Sequence, residues 1–378
     1  MKFKRVCFFL PSAHRDGAEL SALECMEALQ ALGMQCHVVL PQKGPLIDEL
    51  KARQLPYKLI PYKVWIEPPA PVWKSLLVTL WNLGMTYVAT LLVGRWQCDL
   101  VITNTINICV GALVAKLRGL PHIWYLREFG FEDHGWRFHL GEKPSLWIMN
   151  RLSVLCLAVS RAVAQKYQAG MTPSKVHHVY QPIEVDLTPR SQVVLDKKKS
   201  QFTCIMVGRL QEGKRQTDAI RAMGELRDQG LPVQLWLVGG GDQDYCSFLE
   251  TLVREKSLTE HVQFFGQVDN AFPYIKKANV LLLCSRCEAF ARVVVEAMKA
   301  GKPVLGTRSG GTVEQIEAGF NGFLYEPGDF KELAAKIRYL QEHPDKAKEM
   351  GKNAKNWARK TFNRKHYQEK IKEIMSKL

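Results

Sequence analysis

Two short stretches of this 378-residue chain gather groups that can hold a charged, hydroxyl-rich ligand. The first is V-G-R-L-Q-E-G-K, Val207 to Lys214. Gly208 frees the chain for a tight turn, and Arg209 and Lys214 set two cations near the end of an expected strand, where a diphosphate can lie. Without a metal, such cations stabilise the charge that develops on a departing diphosphate. The second is E-A-F-A-R-V-V-V-E-A-M-K-A-G-K-P-V, Glu288 to Val304, a helix-compatible body that stops at Gly301 with Pro303 beyond. Glu288 is expected in the loop ahead of that helix and Glu296 about two turns inside it, roughly 12 Å apart at the helical rise. Ionised carboxylates accept hydrogen bonds from vicinal hydroxyls, and the amides opening the helix, Phe290, Ala291, Arg292 and Val293, favour phosphate. Hydroxyls, phosphate, hydroxyls is the order of groups in a sugar nucleotide. Taken singly, each stretch also suits an ordinary solvated surface.

These stretches need a scaffold, and the apolar pattern supplies one. Arg5 to Pro11, a helical pattern from Glu19 to Leu32, and Cys36 to Leu40 read as strand, helix and strand, the unit of a parallel sheet. Asp99 to Asn104, Pro121 to Leu126 and Val154 to Ser160 continue the theme as buried strands. From Gln181 to Lys199 the periodicity lapses into a proline-bearing, charged stretch that reads as a linker. A second series of strand-like runs then begins at Phe202. The expected fold class is therefore α/β with two doubly wound, Rossmann-like domains facing each other across a cleft. The expected boundaries are 1–185, a linker at 186–200, a second domain at 201–355 and a final helix at 356–378.

Length agrees with two domains, and a balance of 47% hydrophobic to 24% charged residues excludes a largely disordered chain. The net charge of +15 asks for an acidic partner: nucleic acid, an anionic membrane surface or a phosphate-bearing substrate. About half of the excess lies between Lys331 and Leu378, either on solvated helix faces or as a contact surface. Ten cysteines are scattered, and Met1 to Leu10 reads as a strand rather than a secretory signal, so reducing cytoplasm is the expected setting. Cys284 and Cys287 have no second pair at metal spacing and read as packed thiols. From Ser75 to Gly94 there is no charged residue. That run is a buried or half-buried domain helix, an interfacial membrane helix or a transmembrane span.

Together the motifs resemble the retaining glycosyltransferases of family 4, which have the GT-B fold. The likeness covers most of the chain and is strongest from Thr203 to Gly328. It rests on G-R-L-x3-K at Gly208 to Lys214, E-x7-E at Glu288 and Glu296, then G-G-T-V-E-Q-I and N-G-F-L-Y-E-P-G-D. The resemblance implies that Glu296 binds the ribose, Glu288 the transferred sugar, and Arg209 and Lys214 the diphosphate. It also implies a base pocket along Val262 to Val268, through backbone near Gly266 and Val268, and a final helix crossing back to the first domain. The first domain fits less closely. Its loop reads H-R-D-G-A-E, with Asp16 where the family has a glycine, leaving Gly17 to approach the diphosphate. Where the family often carries a histidine that contacts the donor sugar, the sequence is W-Y-L-R-E-F. Either Arg127 or Glu128 takes that role, or the two form a structural ion pair. Ala291 replaces the usual glycine after Phe290.

Two other motifs compete. Asp242-Gln243-Asp244 has the D-x-D form of a manganese site but lacks its architecture, and Gly239-Gly240-Gly241 lacks the full dinucleotide spacing. The expected activity is metal-independent, cofactor-free transfer of a hexose-type sugar from a nucleoside diphosphate donor to a hydroxyl acceptor, with retention. The acceptor is expected to be a glycan or a lipid-linked molecule, in polysaccharide or glycolipid assembly. An anionic membrane surface stands as a further partner and nucleic acid does not. Two alternatives stay open: a sugar-nucleotide epimerase of the same fold, and a basic binding protein that has lost catalysis.

Overall fold

The computed structural model describes residues 3–68, 71–185 and 201–376, so the expected linker at 186–200 lies outside the described residues. The chain forms two units, Met1–Pro182 with Phe362–Leu378, and Ile183–Thr361.

In the first unit the strands are β1 (Arg5–Phe9), β2 (Gln35–Leu40), β3 (Tyr57–Leu59), β4 (Ile66–Glu67), β5 (Leu100–Asn104), β6 (His122–Leu126), β7 (Arg137–Phe138), β8 (Leu155–Ala158) and β9 (Val176–His178). Between them run the helices α1 (Gly17–Gln30), α2 (Leu46–Ala52), α3 (Val72–Arg95), α4 (Val110–Arg118), α5 (Phe131–His134), α6 (Glu142–Leu152) and α7 (Arg161–Gln168). Seven strands pair in the order β3-β2-β1-β5-β6-β8-β9, all parallel, and β4 with β7 makes a small antiparallel ribbon. Strands such as β5 and β6 are buried at every position, which is why they read as unbroken apolar runs.

The second unit repeats the plan with β10 (Phe202–Val207), β11 (Val233–Val238), β12 (Val262–Phe264), β13 (Val280–Leu283), β14 (Val304–Thr307) and β15 (Gly322–Tyr325). Its helices are α8 (Gln216–Asp228), α9 (Gln243–Glu255), α10 (Phe272–Lys277), α11 (Arg292–Lys299), α12 (Thr312–Gln315), α13 (Phe330–Glu342) and α14 (Pro344–Thr361). The parallel order is β12-β11-β10-β13-β14-β15. Each unit is thus a Rossmann-like doubly wound sheet, and the fold is GT-B.

The chain returns to the first unit at Phe362, later than the expected 356, because α14 continues unbroken to Thr361 within the second unit. There α15 (Arg364–Met375) packs on α1. Arg364 pairs with Glu27 at 2.5 Å, Gln368 donates to the Ala28 carbonyl at 3.0 Å, and the buried Tyr367 and Tyr125 hydroxyls lie 3.3 Å apart. Within the basic C-terminal stretch, Lys336 pairs with Glu332, Lys346 with Glu349 and Lys370 with Glu373 along their helices.

Candidate functional site

In the second unit the strand order reverses between β10 and β13. In such sheets ligands bind beyond the carboxyl ends of the strands at that reversal. The loops leaving these two strands carry Arg209, Lys214 and Glu288. Arg209 is exposed just past β10, and Gln216 donates to its carbonyl at 3.1 Å. Lys214 closes a 3-10 turn at Glu212–Lys214, after which Arg215 adopts a left-handed conformation. The Arg286 amide donates to the Gly213 carbonyl at 2.9 Å, joining the β10 loop to the β13 loop. Lys214 Nζ pairs with Glu288 Oε1 in the same place, and the Ser285 hydroxyl donates to that oxygen at 2.5 Å. Thr307 in turn donates to the Ser285 carbonyl at 2.7 Å. A cation and a carboxylate are therefore held together at the switch point.

The G-G-G run that suggested a dinucleotide loop is a matter of close backbone approach. A Cβ on Gly239, whose φ is +141°, would lie 2.1 Å from the Gly208 carbonyl oxygen, and one on Gly241 would lie 2.3 Å from that of Leu210. Only glycines let the ends of β10 and β11 meet here. The Gly239 amide donates to the Gly266 carbonyl at 2.8 Å, and the Gly240 amide to Gln267 Oε1 at 3.1 Å. Gly266 is left-handed and Val268 is half-buried, so both residues expected to line a base pocket stand just past β12. Asp242 caps α9, accepting from the Asp244 amide at 3.0 Å, which accounts for the D-x-D sequence. Among the described residues no group of three or more His, Cys, Asp and Glu could hold a metal ion. Cys284 is a buried thiol pushed up to about 12 by desolvation.

Helix α11 begins at Arg292 with Ala291 as its N-cap. Glu296 is therefore little more than one turn inside, about 6 Å along the axis from the first helical residue, and not two turns as expected. Arg292, Val293, Glu296 and Lys299 share the face left partly exposed, while Val294, Val295, Ala297 and Met298 are buried. Phe290 is half-buried at the loop end. Ala291 departs furthest from expectation. Its amide donates to Gln315 Oε1 at 3.1 Å and its carbonyl accepts from Gln315 Nε2 at 3.0 Å, so that amide is committed to the protein and not to a phosphate. Its φ of −87° is open to any residue, which explains why alanine replaces glycine without strain. Ser285 and Gln315 were not singled out in the sequence, although Gln315 stands in the G-G-T-V-E-Q-I motif.

In the first unit, Gly17 opens α1 after Asp16. Arg127 is buried at the end of β6, donating to Asn104 Oδ1 at 2.5 Å and to Gln181 Oε1, and lying 4.2 Å from the centre of the Tyr125 ring. Glu128, equally buried, accepts from the Ile106 amide at 3.3 Å. Their hydrogen bonds run to neutral partners rather than to one another, so the ion-pair alternative is not what is built. Burial, with Asp133 nearby, raises the Glu128 carboxyl to about 8. Glu19, a buried carboxyl that the sequence did not flag, is also raised by desolvation and accepts from the Ser12 hydroxyl at 2.7 Å.

Two Rossmann-like doubly wound sheets in one chain define a protein of the GT-B class. Residues 188–357 match the family model for glycosyl transferases group 1, and residues 15–187 that for glycosyltransferase family 4. The chain belongs to glycosyltransferase family 4. It is 29% identical to N-acetyl-alpha-D-glucosaminyl L-malate synthase of Bacillus anthracis over 226 residues, 57% of this chain and 58% of that one. Trehalose synthase of Pyrococcus horikoshii is 34% identical over 266 residues, 67% of this chain and 60% of that one. The chain thus spans about three fifths of the length of these curated relatives. Among solved structures, Anabaena HepE in complex with UDP matches with a TM-score of 0.81 at 24% identity, over 99% of this chain and all of HepE, a likeness of fold.

Proposed function

We propose that the protein is a retaining, metal-independent glycosyltransferase that moves a hexose-type sugar from a nucleoside diphosphate sugar to a hydroxyl of a glycan or lipid-linked acceptor. The observation that carries this reading is the Lys214–Glu288 pair at the β10/β13 switch point, with Arg209 on the same loop as Lys214 and Glu296 on the helix that follows Glu288. Lys214 and Arg209 take the diphosphate, Glu296 the ribose hydroxyls and Glu288 a sugar hydroxyl. In the reaction the bond from the anomeric carbon to the diphosphate oxygen breaks as the acceptor oxygen bonds that carbon from the same face. The acceptor's proton passes to a phosphate oxygen. Pre-placed cations stabilise the leaving group without reorganising at the moment of reaction. The crystal structures of HepE with UDP, with UDP and glucose, and with UDP-glucose support a uridine donor as the first to try.

A thermal-shift panel of nucleoside diphosphate sugars tests the donor half, since a ligand of the native state alone raises its stability. Transfer to candidate acceptors in excess EDTA, with the anomeric configuration read by NMR, tests the rest. Inversion of configuration, or dependence on added manganese, would refute the mechanism. Conversion of donor alone into an isomer would instead identify an epimerase.

A further inference from the structure

Helix α3 is built inside out for a helix of a water-facing domain. Its buried stripe is Val78, Asn82, Thr86, Ala89 and Val93, at helical spacing. Asn82 accepts from the Lys63 amide at 2.8 Å and donates to the Lys63 carbonyl at 3.0 Å, and Thr86 donates to the Asn82 carbonyl at 2.7 Å. Ala89 and Val93 pack into the core with Phe9, Val39 and Val114. The opposite face carries the large apolar side chains: Trp73 is 65% exposed, Leu80 56% and Tyr87 67%, with Leu76, Leu77, Leu83, Val88 and Leu91 alongside. A 24-residue helix is about 36 Å long, so the apolar strip is far larger than a scattered surface leucine.

The charge around this strip is mainly basic. Lys63 stands 5.3 Å from the Trp81 ring centre, Arg95 ends the helix, and Lys116 and Arg118 are exposed on α4, which packs against α3. Exposed Leu117 sits between those last two. From Val72 to Arg118 the only acid is Asp99, which accepts from the Lys4 and Arg5 amides. Glu67, just upstream, is paired with Lys74 at 3.0 Å and His139 at 2.9 Å.

We infer that α3 lies flat in the headgroup boundary of an anionic lipid bilayer, its apolar face inserted and its flanking cations on lipid phosphates. Charge chooses this occupant. A second copy of the chain would bring the same basic rim against itself, whereas anionic lipid complements it. Tryptophan and tyrosine on the outward face suit the depth where an apolar body meets water. A transmembrane role is excluded by the inward stripe, since spanning would strip Asn82 from the Lys63 backbone and expose the sheet beneath. The inference stands on α3 alone and does not rest on the assignment of the donor site.

Flotation of the full chain with vesicles tests it. The chain is expected to float with vesicles of phosphatidylcholine containing about 30% phosphatidylglycerol and far less with phosphatidylcholine alone. Leu76→Glu with Leu80→Glu, both on the exposed face, is expected to lower partition at least about tenfold while circular dichroism and Tm stay unchanged. Lys63→Glu with Lys116→Glu is expected to lower it about tenfold on the anionic vesicles only. A wild-type chain that remains soluble with both vesicle types overturns the inference, as does a leucine variant that floats like wild type. So does a wild-type dimer in light scattering that the leucine variant abolishes without vesicle binding, which would make the occupant a second copy.

Discussion

Lys214 and Glu288, 74 residues apart in sequence, meet in an ion pair on neighbouring loops, and the Ser285 hydroxyl donates to the same carboxylate oxygen. The pair is partly exposed, so its worth to the fold is at most about 1 kcal/mol. Its worth to a leaving diphosphate is larger, because a fixed donor there acts on charge that appears only during reaction. Lys214→Ala is therefore expected to slow transfer by about 10²- to 10³-fold while Tm moves by only a few degrees. Turnover equal to wild type would remove Lys214 from the site.

Glu296 and Glu288 are expected to separate the two ends of the donor. An ionised carboxylate on ribose hydroxyls contributes about 1.5–3 kcal/mol, so Glu296→Ala should weaken binding of the bare nucleoside diphosphate roughly 10- to 100-fold. Glu288→Ala should leave that affinity near wild type and weaken only the sugar-bearing donor. Calorimetric titration with both ligands distinguishes them, and equal losses for the two variants would contradict the split.

The charged residues at the switch point, though not their pairing, were legible because they follow apolar runs that read as strands. Gly208 to Lys214 and Glu288 to Glu296 were found in this way. The start of α11 was less legible, since Ala291, the residue ahead of its first turn, is held by Gln315, a partner 24 residues away that no spacing rule reaches. Arg127 and Glu128 share this difficulty, as their roles follow from Asn104, Gln181 and the Ile106 amide, which only folding assembles. For α3, composition left three alternatives open, and only the orientation of Asn82 and Thr86 toward the core decided which face was left over.

Gly239 fixes the spacing between the β10 and β11 ends. In Gly239→Ala the new methyl would stand 2.1 Å from the Gly208 carbonyl oxygen at a φ of +141°, so backbone must shift beside Arg209. A loss of about 3 kcal/mol or more is expected, lowering Tm by roughly 6 °C or more. Gly240→Ala is the control: its methyl would meet Gln267, nearest at the side-chain oxygen 3.3 Å away, and should cost less than about 1 kcal/mol. Equal melting temperatures for the two variants would contradict this account of the G-G-G run.

Glu128 makes stability depend on pH. Its carboxyl is raised to about 8 in the folded protein, chiefly by burial, and titrates near 4.3 when unfolded. Between those values the native state binds more protons than the unfolded state, so the contribution is fully present below about pH 4 and is lost as pH rises through 8. Glu19, raised by the same cause, adds to the decline. Glu128→Gln keeps an acceptor for the Ile106 amide and carries no charge, so it should remove much of that slope. Melting curves from pH 5 to 9 are expected to show the variant gaining on wild type by about 4 °C or more as pH rises, with the gap levelling above pH 8. A gap that stays constant across that range would mean that Glu128 is ionised in the fold, with a charged partner stronger than the Ile106 amide.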